Sequence, residues 1–312
     1  MDANACENGY ICAVGTAERP YHVSTTYSCP AGRYCQGSQV STCAAGTWQP
    51  LVGASSGDLC LPVPAGFYAT NAGSTQYTAN ECARGYYCPA GSVVATQNTC
   101  PKGFYRDLTR GGASADCGAC PAGKYCPENT KLPFMCPLGY YCPEKIFVPE
   151  PCPRGTFGPN TGLRQVQDCS TCWGGRYCSQ TGLPEPDGLC DRGYYCSEGA
   201  FTAAPIDGVT GGLCPAGGYC PTGSKFAQSC PAGTYNPDQG KWAESDCITC
   251  PAGSYCAGSS NPAPTGLCQA GYYCPAGSVF KTQTAADPGH YTNEGQATQT
   301  ECAPGTYNPY PA

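Results

Sequence analysis

A seven-residue loop, C-P-A-G-K-Y-C at Cys120–Cys126, recurs in variant form from end to end of the chain and limits what it can fold into. Ten stretches read C-x5-C: Cys6 to Cys12, Cys29 to Cys35, Cys82 to Cys88, Cys120 to Cys126, Cys136 to Cys142, Cys172 to Cys178, Cys190 to Cys196, Cys214 to Cys220, Cys250 to Cys256 and Cys268 to Cys274. Four more begin the same way and close later, as C-x16-C: Cys43 to Cys60, Cys100 to Cys117, Cys152 to Cys169 and Cys230 to Cys247. Cys302 opens one further loop, C-A-P-G-T-Y, without a later cysteine. Two loops, Val63–Ala69 and Ala286–Thr292, keep the pattern with both cysteine places changed. Every loop carries Gly at the fourth place, and every loop but the first, where Ile11 stands, carries an aromatic at the sixth. Repetition at so short a period means an array of small units rather than one cored domain.

The two cysteine-free loops bear on pairing, because each has lost both ends together. Joint loss is the expected pattern if the two cysteines of a loop bond each other; bonds to distant partners would leave two orphans. The expected disulfides therefore close the ten short and four long loops named above, with Cys302 unpaired. Spacing alone leaves other connectivities open, since four cysteines already allow three pairings. Closing a seven-residue ring removes roughly 2.4 kcal/mol of unfolded-state freedom, and an eighteen-residue ring roughly 3.2. Ordering costs about 1–2 kcal/mol per residue in backbone freedom, so the staples do not suffice alone. The aromatics before the closing cysteines must pack on a disulfide, a Pro or the next loop, as a distributed core.

Twenty-nine cysteines in 312 residues, beside 42 Gly and 31 Pro but only 2 Met and 8 Phe, are the composition of a disulfide scaffold. Such a chain belongs outside the reducing cytosol, secreted or at the cell surface. A net charge of −6 gives no footprint for nucleic acid or an anionic membrane. No stretch approaches the ~20 apolar residues of a membrane span. Asp2 and Asn4 follow Met1 without the pattern of a signal peptide, so a secretory signal is expected outside this stretch.

The loops group into units, each a series of short loops ended by a long one. They run 1–62, 63–119, 120–171, 172–249 and 250–312, with the first expected to be truncated at its N-terminal side and the last at its C-terminal side. The partner of Cys302 is expected seventeen positions on, past Ala312. Pro near the start of a loop and Gly at its fourth place predict a turn; the residues around the aromatic suit a short strand. No window shows sustained helical periodicity. The predicted fold class is small disulfide-rich repeats forming an elongated rod of short β-hairpins and turns, with little or no α-helix. The longer connectors, Ala13–Ser28, Thr70–Glu81, Ser197–Leu213 and Pro275–Glu301, read as irregular and projecting, and so as the place for any specific binding surface.

The run Cys230-Pro231-Ala232-Gly233-Thr234-Tyr235 through Cys247-Ile248-Thr249-Cys250 resembles the ephrin-receptor-like cysteine-rich repeat. That family is related in style to the tumour-necrosis-factor-receptor and growth-factor-receptor modules. The resemblance covers essentially the whole chain. It implies extracellular, disulfide-bonded, non-enzymatic repeats. Long tandem arrays of this kind look like the large surface proteins of protists and algae, including flagellar-hair (mastigoneme-like) and cell-coat components.

Other chemistries find less support in the residues. The pairs Cys117 and Cys120, Cys169 and Cys172, and Cys247 and Cys250 have the C-x2-C spacing of a zinc knuckle. Yet Cys60 keeps its place where Val63 replaces its would-be co-ligand, and only His22 and His290 could add imidazole. No metal and no cofactor is expected. Redox catalysis by C-x2-C needs a βαβ context that is absent. His22 and His290 sit in polar surroundings with no core to preorganise a hydrolytic site, so no enzyme is expected. Asn236, Asp238, Glu244 and Asp246 offer oxygens within one loop but not at the spacing of a calcium hand. No N-x-S/T acceptor occurs, while the Thr- and Pro-bearing connectors admit O-linked glycans. The expected function is an extracellular structural repeat protein of a fibrous or cell-surface assembly: flagellar hair, coat or matrix filament. Its expected partners are further copies or other filament and coat proteins. The alternative is a receptor or adhesin ectodomain that takes protein or glycan ligands through its connectors.

Overall fold

The computed structural model describes residues 6–12, 28–37 and 39–307. Among them there is no α-helix; the regular structure is fourteen two-stranded antiparallel sheets and four single 3-10 turns. This is a disulfide-rich array of short β-hairpins, as the density of Gly, Pro and Cys predicts. The chain divides into two compact units. The first comprises Met1–Pro137, Tyr141–Glu150 and Gly162–Gln165; the second Leu138–Tyr140, Pro151–Thr161 and Val166–Ala312.

Each loop opens with the same turn. In the loop Cys172–Cys178 the amide of Arg176 donates to the carbonyl of Trp173 at 3.0 Å, with Gly175 at φ +82° between them. A left-handed third corner is what such a turn needs and what Gly supplies at no steric cost. The fifth and sixth places then form a strand that returns antiparallel from just before the next loop. Arg176 pairs with Leu189 and Tyr177 with Gly188; Tyr194 to Cys196 pair with Leu213 to Gly211 in a three-residue version. The sixth-place ring lies over the small residue opposite, as Tyr177 does over Gly188 and Tyr255 over Gly266.

A second left-handed turn, with no counterpart among the sequence expectations, follows most seventh places by three or four residues. Its corner is Gly at most repeats, for example Gly199 and Gly223, but Arg110, Asn129, Lys145 and Ser260 fill it elsewhere. These four are the positive-φ non-glycine residues among those described, and all share this one register.

The two turns lock neighbouring loops together. Within the first unit Gly103 donates to the carbonyl of Cys126, Cys120 donates to Gly103, and Lys145 donates to Cys120, at 2.9 Å each. Within the second unit Gly175 donates to Cys196 at 2.8 Å, Cys190 to Gly175 at 2.9 Å, and Gly223 to Cys190 at 2.8 Å. The same three bonds repeat loop after loop, so nearly every buried amide of the loop finds a carbonyl on its neighbour. The connectors Thr70–Glu81, Ser197–Leu213 and Pro275–Glu301, expected to project freely, are therefore largely tied in: Gly73 donates to Cys43, Gly199 to Cys172 and Gly277 to Cys250.

Packing follows the same rule of next neighbour. Phe157, the sixth-place aromatic of its loop, is buried against Cys172 and Cys178 of the following loop. Tyr177 packs in turn on Cys190 and Cys196. Val63, Ala69 and Ala286, which replace cysteines, stay buried, so the loop geometry outlives its staple. Around the unstapled loop Val63–Ala69 an aromatic cluster takes over: Tyr77 meets Trp48 at 4.7 Å and Phe67 at 5.0 Å, both edge to face, and Arg110 stands over the Phe67 ring at 5.3 Å.

The two glycine registers differ in what they tolerate. A Cβ on Gly175 would lie 2.4 Å from the carbonyl oxygen of Gly223, whereas one on Gly199 would meet its nearest atom at 3.5 Å. Gly199→Ala should therefore cost only the left-handed penalty of about 1–2 kcal/mol, while Gly175→Ala should cost at least twice that. Amide hydrogen exchange across residues 172–200 checks this: equal loss of protection in the two variants would show that the close turn-to-turn contact does not carry the stack.

Candidate functional site: the stapled loops

The repeated loop is the chemistry-bearing feature of this chain, and every bridge in the structure joins the two ends of one loop. Ten short rings are closed. In the first unit these are Cys6 to Cys12, Cys29 to Cys35, Cys82 to Cys88 and Cys120 to Cys126. Cys136 bonds Cys142 close to where the two units meet in sequence. In the second unit Cys172 bonds Cys178, Cys190 bonds Cys196, Cys214 bonds Cys220, Cys250 bonds Cys256 and Cys268 bonds Cys274. Four long rings are closed by Cys43 with Cys60, Cys100 with Cys117, Cys152 with Cys169 and Cys230 with Cys247. The closing sulfurs of the short rings at Cys35, Cys88, Cys142, Cys220, Cys256 and Cys274 are as deeply buried as the opening ones.

Across all fourteen bridges the Cα atoms lie 5.6 to 5.9 Å apart. That separation lies within the range an unforced bridge requires. The cysteines of the C-x2-C pairs belong to different bridges: Cys117 bonds Cys100 while Cys120 bonds Cys126. Cys302 is a free, half-buried thiol whose amide donates to Gly289 at 2.9 Å.

The long loops differ from the short ones at the seventh place, where cysteine is replaced by Gln49, Arg106, Gly158 or Asn236. Two of these side chains act alike. Gln49 Nε2 donates to the carbonyl of Leu59 at 2.6 Å, and Arg106 Nη1 to that of Asp116 at 2.7 Å. Each carbonyl belongs to the residue just before the closing cysteine. A polar side chain thus holds by hydrogen bond the segment that the late disulfide holds covalently. Asn236, fully buried, instead donates to Gly218 at 2.8 Å.

A 3-10 turn precedes every late-closing cysteine: Gly57–Leu59, Ser114–Asp116, Val166–Asp168 and Glu244–Asp246. In two of them an aspartate supports the entry. Asp116 Oδ2 accepts from the amides of Gly112 and Ala113 at 2.7 and 3.0 Å; Asp246 Oδ2 accepts from Trp242 and Ala243 at 3.0 Å each. Those backbone donors hold both carboxyls below the ordinary aspartate range. Glu81 is held down chiefly by the Thr109 hydroxyl and then by Arg110, whose guanidinium lies 2.6 Å away.

The residues considered for other chemistry are not gathered into one place. Among the described residues no group of three His, Cys, Asp or Glu side chains could hold a metal ion. Asn236 and Asp246 are each spent on the backbone bonds just given, and Asp238 pairs with Lys241 at 3.2 Å. His290 pairs with Glu301 in a hairpin. His22 lies outside the described residues. Among the described residues no helix is long and apolar enough to cross a membrane. Neither a family model nor a curated protein matches the chain.

Two outcomes follow. The short-loop sulfurs are almost all sealed, whereas Cys60 and Cys247, which close long loops, and Cys12 of the first described loop are partly exposed. Limited reduction with alkylation should therefore open Cys43–Cys60, Cys230–Cys247 and Cys6–Cys12 well before Cys172–Cys178, as peptide mass mapping would read. The second outcome concerns acid. Because Asp116 and Asp246 titrate lower folded than unfolded, their support is complete above the unfolded value of about 3.9. It fades as pH falls through the lower folded value. Exchange protection of the Gly112–Ala113 and Trp242–Ala243 amides should hold at pH 5 and decline only once the pH falls below the ordinary aspartate range, and Asp246→Asn should flatten that step.

Proposed function

We propose that this chain serves as an extracellular structural repeat protein in a fibrous or cell-surface assembly, such as a flagellar hair, a coat or a matrix filament. The supporting observation is the combination of local staples with loop-to-loop hydrogen bonds that recur within each of the two compact units. Force or a protease meets many small covalently closed modules in turn, and the failure of one leaves its neighbours' rings intact. On this reading the protein is not an enzyme, its place is outside the cell, and its ephrin-receptor-like and mastigoneme-like resemblance reflects a shared structural use of stapled loops. O-linked glycans on the Thr- and Pro-bearing connectors fit the same setting.

A receptor or adhesin ectodomain is the second reading, and the observation favouring it is the well-formed but apolar-tipped connector Thr202–Thr210, where Ile206 and Val209 are 86% and 80% exposed. Electron microscopy of native material labelled with an antibody to this chain separates the two. Label along regular fibres or a continuous coat is the expected result. Label on dispersed molecules, together with capture of a defined protein or glycan, would overturn the structural reading in favour of the second.

A further inference from the structure

The net charge of −6 conceals a segregation of charge that folding brings out. Two places in the repeat meet on one face. One is the third place of a loop; the other lies two residues past the second-turn corner that packs on that loop. Lys102 Nζ stands over the Phe147 ring at 5.3 Å, the Arg154 guanidinium over Phe201 at 5.4 Å and that of Arg192 over Trp242 at 5.2 Å. A Cβ on Gly174 would lie 2.5 Å from the Lys225 side chain, and one on Gly112 3.0 Å from Ala65 Cβ. From the Gly9 loop to the Gly253 loop neither place carries an acid, although the chain has 22 Asp and Glu against 16 Lys and Arg. Arg84, Lys102, Lys131 and Arg164 stand there in the first unit, and Arg154, Arg192 and Lys225 in the second.

The first unit gathers its cations on consecutive loops. Gly85 donates to the carbonyl of Arg106 at 3.0 Å and Gly103 to that of Cys126 at 2.9 Å, which sets the Cys82, Cys100 and Cys120 loops side by side. Arg84 and Lys131 share the first of them, since a Cβ on Gly85 would lie 3.3 Å from Lys131 Cγ. Lys102 and the corner residue Lys145 share the next, where the Lys145 carbonyl oxygen lies 2.2 Å from a Cβ on Gly103. All four cations are exposed, and among the described residues none of them is in an ion pair. Two carboxylates adjoin the corners: Glu128, which accepts from the Thr99 hydroxyl at 2.9 Å, and Glu144. The cations stay in excess.

A compact anion is held by polar groups converging on one point. Here the charges step from loop to loop, so their complement is a chain whose own charges repeat along a line. This chain's acids make no such row: Asp116, Asp207 and Asp246 are bonded to their own backbones, and Glu81 and Glu198 to Arg110 and Lys225. Nucleic acid fits less well, because single strands stack bases on open rings and Phe147 is capped by Lys102. We infer that the face formed by Arg84, Lys102, Lys131 and Lys145 binds a linear anionic polysaccharide of the surrounding matrix. This deepens the structural reading above, on which it rests for its extracellular setting, by naming the material in which the array is laid.

Binding of the refolded, fully oxidised chain to heparin and to polygalacturonate tests it, with dextran as the neutral control. The expected result at about 50 mM salt is binding to at least one of the two anionic polymers and none to dextran, with affinity falling as salt rises. Changing Arg84, Lys102, Lys131 and Lys145 together to Gln should weaken binding at least tenfold and make the salt dependence shallower. Changing Arg33, Lys124, Arg176 and Lys281 to Gln alters the net charge equally and should weaken it less than threefold. Unchanged exchange protection shows that both variants are folded. Equal losses in the two variants would overturn the inference, since net charge alone would then set affinity. So would wild-type binding weaker than about 1 mM to both anionic polymers, or tighter binding to single-stranded DNA than to either. Self-association of the wild type that the first variant abolishes without any polysaccharide would assign the face to a second copy instead, and overturn it too. Fibres in native material alongside any of these failures would leave the structural reading standing; label on dispersed molecules alongside the expected binding would remove that reading and keep the face.

Discussion

The whole stack depends on a carbonyl oxygen meeting a glycine that has no room for a side chain. At the fourth place of the loops the corner is left-handed, and from Gly9 to Gly253 a carbonyl oxygen of the second turn two loops on lies within 3 Å of where a Cβ would be: 2.1 Å from it at Gly139 and 2.2 Å at Gly217. Backbones approach this closely only when one partner is Gly. The approach allows the amide of that glycine to reach the neighbour's seventh carbonyl and its carbonyl to receive the neighbour's first amide. Remove the contact and both bonds lengthen together, because one residue makes both.

Covalent and non-covalent forces are divided by direction. Every disulfide among the described residues closes a ring within one loop, and none joins one loop to the next. Cohesion between loops is left to the backbone bonds and to rings such as Phe157 and Tyr177 lying on the following disulfide. Sulfur therefore serves as the core as well as the staple. Cysteines take up most of the fully buried positions, and Phe157 and Val63 are the largest other apolar side chains among them. A pair of cysteines is about as large as an aliphatic residue and covers a ring face well, which is why a chain so short of Leu and Ile still excludes water from its loops.

The hairpins and the absence of α-helix were legible in the sequence, because Gly, Pro and a sixth-place aromatic state local preferences that no tertiary contact had to override. The second turn was not. Its corner is Gly199 in one repeat and Arg110, Asn129, Lys145 or Ser260 in others, and it falls three or four residues after the seventh place, so no fixed spacing or single residue type marks it. The reason is physical: at the fourth place both φ and space demand Gly, whereas at the second turn only φ does. Asn tolerates that region, and Arg110 occupies it with Glu81 holding its guanidinium at 2.6 Å. Reading the connectors as loose followed from missing this corner. The polar seventh places were equally hidden, since Gln49 and Arg106 share no side-chain type and are alike only in the carbonyl they reach.

The long loops show what the ladder needs and what it does not. Losing the seventh-place cysteine does not break the register: Gly32 still donates to Gln49, Gly85 to Arg106, Gly139 to Gly158 and Gly217 to Asn236, at 2.7 to 3.0 Å. The first-place cysteine then finds its partner beyond a 3-10 turn, in a ring about two and a half times longer. By chain entropy the longer ring constrains the unfolded chain more, by a little under 1 kcal/mol. Yet its closing sulfur sits nearer to water at Cys60 and Cys247 than the short-loop sulfurs do. The first four units thus trade the seventh-place staple for one that ties in more chain, and they do so just before the next run of short loops begins. The backbone ladder, which never skips a loop there, makes that trade tolerable.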